Sequence, residues 1–396
     1  MLTYDQALAQ MLGRIAPLPP ADLPLSEALG CVLAEDLWAT QDVPPFDNSS
    51  MDGFAVRAAD LANDPTTLPV QGDIPAGALS LPALTPGSAL RIMTGAPIPP
   101  GADAVVPVED TEARAGGVAF LQPIQPGQNI RRAGEDVAAG SLVLSSGSRT
   151  RPAEIGMAAV VGRAHVRARP RPRVAILSTG DELVEPGQPL LPGQIYNSNA
   201  YALTAQVAEA GGVVTHRLHA RDTANALREA FDACAGADVL LTSGGVSVGD
   251  YDFVKAVFAE RGTMDFWRVA IRPGKPVAFG RWGETVFFGL PGNPASSMVT
   301  FELFVRPALR RLRGLTELAR PMVAARLTQD AGHTPGRQSY QRAVVTPEGG
   351  GWRVTPVSRQ GSGMMHPMVQ ANALLVIPAD VSVIPAGETG TVLLLD

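Results

Sequence analysis

The chain has 396 residues, which at about 150 residues per domain suggests two to four domains. Its 45% hydrophobic content allows one sizeable core or several, and it excludes a disordered low-complexity chain despite 41 Gly and 35 Pro. A formal net charge of −6 argues against a general nucleic-acid binder, and no run reaches the roughly 18 uninterrupted apolar residues of a membrane span.

The chain opens on a predicted helix. Thr3 and Gln6 have capping-box spacing, and Leu8, Met11, Leu12 and Ile15 form a helical apolar stripe. The same segment lacks the basic head and continuous apolar run of a signal peptide. The two cysteines, Cys31 and Cys234, sit among apolar residues and read as buried free thiols. A reducing, cytoplasmic location is therefore expected. After the break PLPPADLPL, a second short helix is expected from about Ser26 to about Asp36. Residues 41–140 alternate short apolar runs with Gly and Pro, the texture of a small β-rich subdomain. One more helix start lies in SLVLSSGSRTRPAEIGMAAVVG, and RARPRPR (Arg167 to Arg173) reads as a linker.

From Arg173 the pattern becomes α/β. VAILST, VVTHRLH, DVLLTS, PVAFG and TVFFGL read as strands, with helices after Ser198, after Asp222 and around Phe253 to Phe258. PASSMVTFELFVRPALRRL reads as a long helix that Pro307 kinks or splits. Continuous apolar strands alternating with helices imply a mostly parallel, covered sheet. From Pro321 onward five short strands (VAARLTQ, SYQRAVVTP, WRVTPVS, ALLVIPA, GTVLLLD) suggest a small barrel or sandwich.

Ligands of parallel α/β sheets bind outside the strand carboxyl ends, and three loops expected there are unusual. STGDEL places Asp181 and Glu182 at a strand end, before a long connection to Asn199. Two adjacent carboxylates there suit Mg²⁺ or a ribose hydroxyl. TSGGVSVGDYD carries Ser243, Gly244 and Gly245, whose backbone N–H groups could converge on an anion. It is neither a Walker A loop nor a dinucleotide fingerprint, and Asp250 and Asp252 are helix caps or ligands. GLPGNPASS again joins a strand to a helix through a turn fixed by Pro291 and Pro294 around Gly292. Arg268, Arg272 and Lys275 add a local basic cluster suited to a phosphate or oxyanion. The β-rich segment contributes Asp47, Asp52, Thr94, Glu135 and Asp136 in turns. The tail contributes Arg342 and Ser362.

The ordered set PPFDNSSMDGFAV, RIMTGAP, RRAGED, STGDEL, TSGGVSVGDYDF, RPGKP and GLPGNPASS resembles the molybdopterin molybdenumtransferases, the MoeA-type family that includes the E-domain of gephyrin. The resemblance covers essentially the whole chain. It implies an elongated homodimer of four-part subunits, divided as 1–40 with 141–170 (helical/linker), 41–140 (β-rich), 171–316 (molybdopterin-binding α/β) and 317–396 (β-barrel). It also implies the insertion of molybdenum from molybdate into adenylylated molybdopterin, with Mg²⁺ and release of AMP. Position by position, it puts functional acids on Asp52, Glu182, Asp222 and Asp252, and on Asp136. Thr94 takes the hydroxyl role, Arg268, Arg272 and Lys275 the basic roles, and Pro291 and Pro294 the rigid turn.

As a division of labour, the SGG loop and PGNP turn hold pterin and phosphates, while Glu182, Asp222 and Asp252 hold Mg²⁺. Arg272, Lys275 and Arg342 attract molybdate. Asp52 and Thr94 close the cleft from the partner protomer. Expected partners are a molybdopterin adenylyltransferase and other proteins of the cofactor pathway, with no nucleic acid and no membrane. The rival readings are a molybdopterin adenylyltransferase, which uses the same α/β module, and a non-catalytic scaffold of the same fold.

Overall fold

The computed structural model describes residues 1–62, 65–245, 253–266 and 268–395. The chain forms two compact units. One comprises residues 22–29 and 33–167; the other comprises residues 1–21, 30–32 and 168–396.

The chain starts with α1 (Tyr4–Gly13), whose capping box closes as the sequence predicts: the Thr3 hydroxyl accepts from the Gln6 N–H, and the Gln6 side chain accepts from the Thr3 N–H. The helix expected over 26–36 does not form. Gly30 takes a left-handed φ of 77° and Val32–Leu33 is a short strand, so the apolar residues there serve an extended segment.

In the β-rich unit, β1 (Gly53–Val56), β2 (Val70–Ile74), β3 (Ala89–Ile92) and β4 (Ala104–Pro107) form a sheet in the order β2-β3-β1-β4. Strand alternation sends Phe54 and Val56 to one face, where they meet Val106 and Phe120, and Ala55 to the other, with Leu90 and Ile92. A three-stranded sheet covers the first face. The unit also holds α2 (Pro152–Val160), with Pro at its first turn. The expected linker is partly strand, because His165–Arg169 is extended and paired.

The second unit is built on a six-stranded sheet. In chain order it comprises β5 (Arg173–Thr179), α3 (Ser198–Glu209), β6 (Val213–Ala220), α4 (Ala224–Ala233), β7 (Val239–Ser243), α5 (Phe253–Arg261), β8 (Gly262–Phe266), β9 (Ala278–Trp282) and β10 (Thr285–Leu290). The order is β6-β5-β7-β10-β9-β8, with the first four strands parallel and β9 antiparallel to both of its neighbours. Both faces are covered. Val174, Ile176 and Leu241 pack under α3 and the helices after β10, while Leu177 and Leu240 meet Leu227, Phe231 and Phe258 of α4 and α5.

The predicted long helix is split. α6 (Pro294–Thr300) runs through a π turn at Phe301–Val305 into α7 (Arg306–Leu312), which carries Pro307 in its first turn. Proline withholds one i→i−4 hydrogen bond, and the wider turn absorbs the break. Within the π turn Glu302 is buried, accepting from Gln206 Nε2 at 2.9 Å and from Arg320 Nε at 2.9 Å.

The tail closes into a five-stranded barrel. β11 (Met322–Leu327), β12 (Gln338–Glu348), β13 (Gly351–Pro356), β14 (Ala373–Ile377) and β15 (Thr389–Leu394) join as β12-β13-β11-β15-β14, and β14 pairs back to β12. Alternate residues of β14 fill the barrel (Leu375, Ile377) and pack outward with Tyr4, Phe304 and Tyr340 (Leu374, Val376). The segment Ile271–Arg272 adds a parallel pairing to β12, Arg272 opposite Ser339, which ties the basic loop of the α/β part to the barrel.

Candidate functional site

Sheet register decides which loops meet. Thr179 pairs with Ala220, Ser178 with Ser243, and Ser243 with Leu290, so four parallel strands end level. The loops that follow them, carrying Glu182, Asp222, Gly244–Gly245 and Pro291–Gly292, therefore emerge side by side. They line a cavity of about 670 Å³ at the carboxyl ends, where α/β ligands bind. The signals that sequence reading took from three separated motifs are one place in the fold, and Asp222, which the residues alone did not single out, belongs to it through β6.

The acids interact. Burial pushes the Asp222 carboxyl up, and the negative charges of Asp181 and Glu182 push it further. The Glu182 carboxylate folds back over Gly180, whose φ is 141° and where a Cβ would strike its oxygens. His219 bonds the Gly180 carbonyl at 2.9 Å. Among the described residues no three His, Cys, Asp or Glu side chains form a ready metal cage. The donor chemistry nevertheless fits Mg²⁺, which typically uses one or two carboxylates, several waters and substrate phosphates. A carboxyl pushed up by neighbouring negative charge, as Asp222 is, is relieved by a cation.

The glycine loop is held internally. Gly244 and Gly245 take φ of 93° and 64°, conformations that L side chains adopt rarely. The Gly244 N–H donates to the Leu290 carbonyl at 3.2 Å, and the Ala295 N–H at the start of α6 donates to the Ser362 carbonyl at 3.1 Å. The Gly244 N–H, which the sequence offers to an anion, is thus spent on fixing the loop, as is the Ala295 N–H.

Two asparagines that sequence reading passed over do the fixing from α3. Asn197 caps the helix at the Ala200 N–H and meets the Ser178 hydroxyl. Asn199 Nδ2 donates to Ser243 Oγ at 2.8 Å and to the Gly292 carbonyl at 2.7 Å. An N-cap signal was legible in Asn197; nothing local marked Asn199.

A second cavity, about 1040 Å³, adjoins the first across Pro276, Pro291 and Asn293. Arg272 and Lys275 line it from the α/β side, and Arg337 and Arg342 from the barrel. Arg342 is 1% exposed. Its Nη2 donates to the Gly361 carbonyl at 3.1 Å, its Nε is buried without a partner, and burial lowers its proton affinity. A desolvated guanidinium lining a cavity with other cations is chemically suited to an anion. The barrel location of Arg342 explains why its motif said little by itself.

Other expected residues lie elsewhere. Arg268 is exposed and lines neither cavity. Asp252 falls outside the described residues. Asp52 and Thr94 belong to the β-rich unit, where the pairing of Gly53 with Ile92 sets them side by side. Asp52 Oδ1 accepts from both the Thr94 N–H and hydroxyl, each at 2.7 Å, and these bonds hold its carboxyl below the ordinary range. Asp136 is exposed in the same unit, and Asp47 pairs with Arg132 at 2.6 Å.

Comparison with known proteins matches residues 2–162 to the MoeA N-terminal region (domain I and II), 175–311 to a probable molybdopterin binding domain, and 324–395 to the MoeA C-terminal region (domain IV). Molybdopterin molybdenumtransferase 2 of Mycobacterium tuberculosis is 42% identical over 97% of this chain and 96% of its own. The molybdopterin molybdenumtransferase of Haemophilus influenzae is 40% identical over 99% and 98%. A crystal structure of the molybdopterin biosynthesis MoeA protein of Pyrococcus horikoshii superposes with a TM-score of 0.77 at 33% identity, covering 100% of this chain and 99% of that one.

Strand-end cavities in an α/β sheet, a closed barrel and a β-rich unit, matched along nearly the full chain, define a transferase of molybdenum cofactor biosynthesis. The chain belongs to the molybdopterin molybdenumtransferase family. Among the described residues no helix is long and apolar enough to cross a membrane.

Proposed function

We propose that the protein inserts molybdenum from molybdate into adenylylated molybdopterin and releases AMP. The observation that carries this reading is the juxtaposition of an acid-bearing cavity, with Glu182 and Asp222, and a basic cavity, with Arg272, Lys275 and Arg342. One suits a nucleotide-linked phosphate that needs a cation, the other a small tetrahedral dianion.

Glu182 and Asp222, with Asp252, would hold Mg²⁺. That ion, when bound, neutralises charge on the phosphoanhydride. Ser243 to Gly245 and Pro291 to Pro294 orient the pterin and phosphate by fixed backbone. Arg272, Lys275 and Arg342 draw molybdate to the neighbouring cavity, and a guanidinium fork there orients two of its oxygens. Asp52 and Thr94, hydrogen-bonded as a pair, would act on the substrate from the second protomer of a homodimer. We also retain the four-part division of the subunit, cytoplasmic location and a pathway adenylyltransferase as pterin donor.

The test is molybdenum insertion by purified protein given molybdate, Mg²⁺ and adenylylated molybdopterin. Glu182→Ala is expected to abolish AMP release without lowering the thermal melt, since it also relieves Asp222; unchanged turnover removes Glu182 from the reaction. ATP-dependent adenylylation of molybdopterin without insertion would instead establish the adenylyltransferase reading.

A further inference from the structure

We propose that Asn199 is a positioning residue whose amide locks the SGG loop to the PGN turn and so shapes the phosphate end of the cleft. The inference rests on the proposed reaction but reaches a residue that no carried-over role includes.

Its geometry is specific. The Gly292 carbonyl can only accept, so the Asn199 amide nitrogen must face it, and the second N–H goes to Ser243 Oγ. One side chain on α3 thereby spans the ends of β7 and β10. The two loops are already close: a Cβ on Gly292 would contact Gly244 Cα at 3.6 Å. Past the ladder, which ends by pairing Ser243 with Leu290, the Gly244 N–H also donates to the Leu290 carbonyl.

A second observation points to a ligand. The fixed amide leaves Asn199 Oδ1 buried and without a partner, and Thr179 Oγ1, lining the same cavity, is also orphaned. Buried polar atoms are normally satisfied, and leaving them unpaired costs free energy. Two such atoms at one cluster of strand ends are expected where a polar ligand completes the network. Small movements that admit a ligand would offer both atoms to hydroxyl or N–H groups of the nucleotide-linked pterin, while the clamp holds the loops in register.

The experiment measures initial rates of the full chain and of Asn199→Ala and Asn199→Asp, varying adenylylated molybdopterin and molybdate separately, with thermal melts and AMP binding by calorimetry. A carboxylate keeps the size of the amide but cannot donate to the Gly292 carbonyl and adds negative charge, so Asn199→Asp should lose at least as much as Asn199→Ala. Losing two neutral hydrogen bonds predicts a rise in KM for adenylylated molybdopterin of roughly 10- to 30-fold. AMP should weaken in parallel, while molybdate half-saturation stays at the wild-type value and any fall in the melt stays within what two lost hydrogen bonds cost. Ser243→Ala, which removes one of the two bonds, should raise that KM about fivefold.

A wild-type KM in Asn199→Asp overturns the clamp. So does an equal loss for both substrates together with a lowered melting temperature, since that is the signature of a structural role. If the wild type itself inserts no molybdenum, the proposed function fails, and the clamp is then judged on AMP: an unchanged Kd in Asn199→Asp overturns it independently.

Discussion

Replacing Arg342 by Met separates its two costs. In the wild type the guanidinium is almost wholly buried. It has one hydrogen bond from Nη2, no ion pair among the described residues and an unpartnered Nε. Burial without a counter-charge penalises the folded state, so a side chain of similar length and no charge should leave the melting temperature equal to or above the wild type. Function should move the other way. At a separation of about 4 Å and an effective dielectric of about 20, one unit charge pair is worth about 4 kcal/mol before desolvation is subtracted. Charge-assisted hydrogen bonds retain about 1.5–3 kcal/mol net, which corresponds to a rise in molybdate half-saturation of roughly 10- to 100-fold. The assay is molybdenum insertion at saturating adenylylated molybdopterin with molybdate varied, alongside a thermal melt. Unchanged half-saturation would refute the placement of the oxyanion beside Arg342. A lowered melt with proportionate loss of all activity would refute the argument that the charge is uncompensated.

Three further outcomes are expected. The Asp222 carboxyl is raised by burial and by Asp181 and Glu182, so its ionisation destabilises the fold as pH rises through its ordinary value of 3.8, and the penalty is complete above the raised folded value. Asp222→Asn should therefore melt higher than the wild type at neutral pH, the difference should vanish in strong acid, and Mg²⁺ should raise the melt of the wild type only; differential scanning calorimetry across pH checks the sign. Gly211 has a φ of 86°, and a Cβ there would press on the Arg313 guanidinium that caps the Ala210 carbonyl, so Gly211→Ala should cost about 2–3 kcal/mol in urea unfolding. Glu302→Ala leaves Arg320 and Arg306 with the half-exposed Glu209 as their shared carboxylate and should cost roughly 2–4 kcal/mol, measured in the same way.

What the amino-acid sequence determined by itself was whatever depends on neighbours in the chain. The α1 cap needed only Thr3 and Gln6, three residues apart. The strands of the α/β sheet showed as continuous apolar runs because both faces of β5 and β7 are covered. The barrel strands showed as short runs between turns. The SGG and PGNP turns could be placed at strand ends because Gly and Pro restrict the backbone locally. The same local reasoning failed over 26–36, where helix-compatible residues are drawn into an extended segment by pairing with a distant strand. It could not foresee that Pro307 would be accommodated by a π turn.

Tertiary structure decided which of these features work together. Level strand ends, a matter of register, brought Asp222 beside Glu182 and set Asn199 between two loops. The spending of the Gly244 N–H on Leu290 follows from that same convergence, while the Ala295 N–H is taken by Ser362 of the tail. Arg342 and Arg272 line one cavity, with residues 271–272 paired to β12 beside it. A side chain's type is written in the sequence. Its desolvation and its partners depend on contacts hundreds of residues apart, and those contacts make a guanidinium in a polar tail segment a buried charge beside an open cavity.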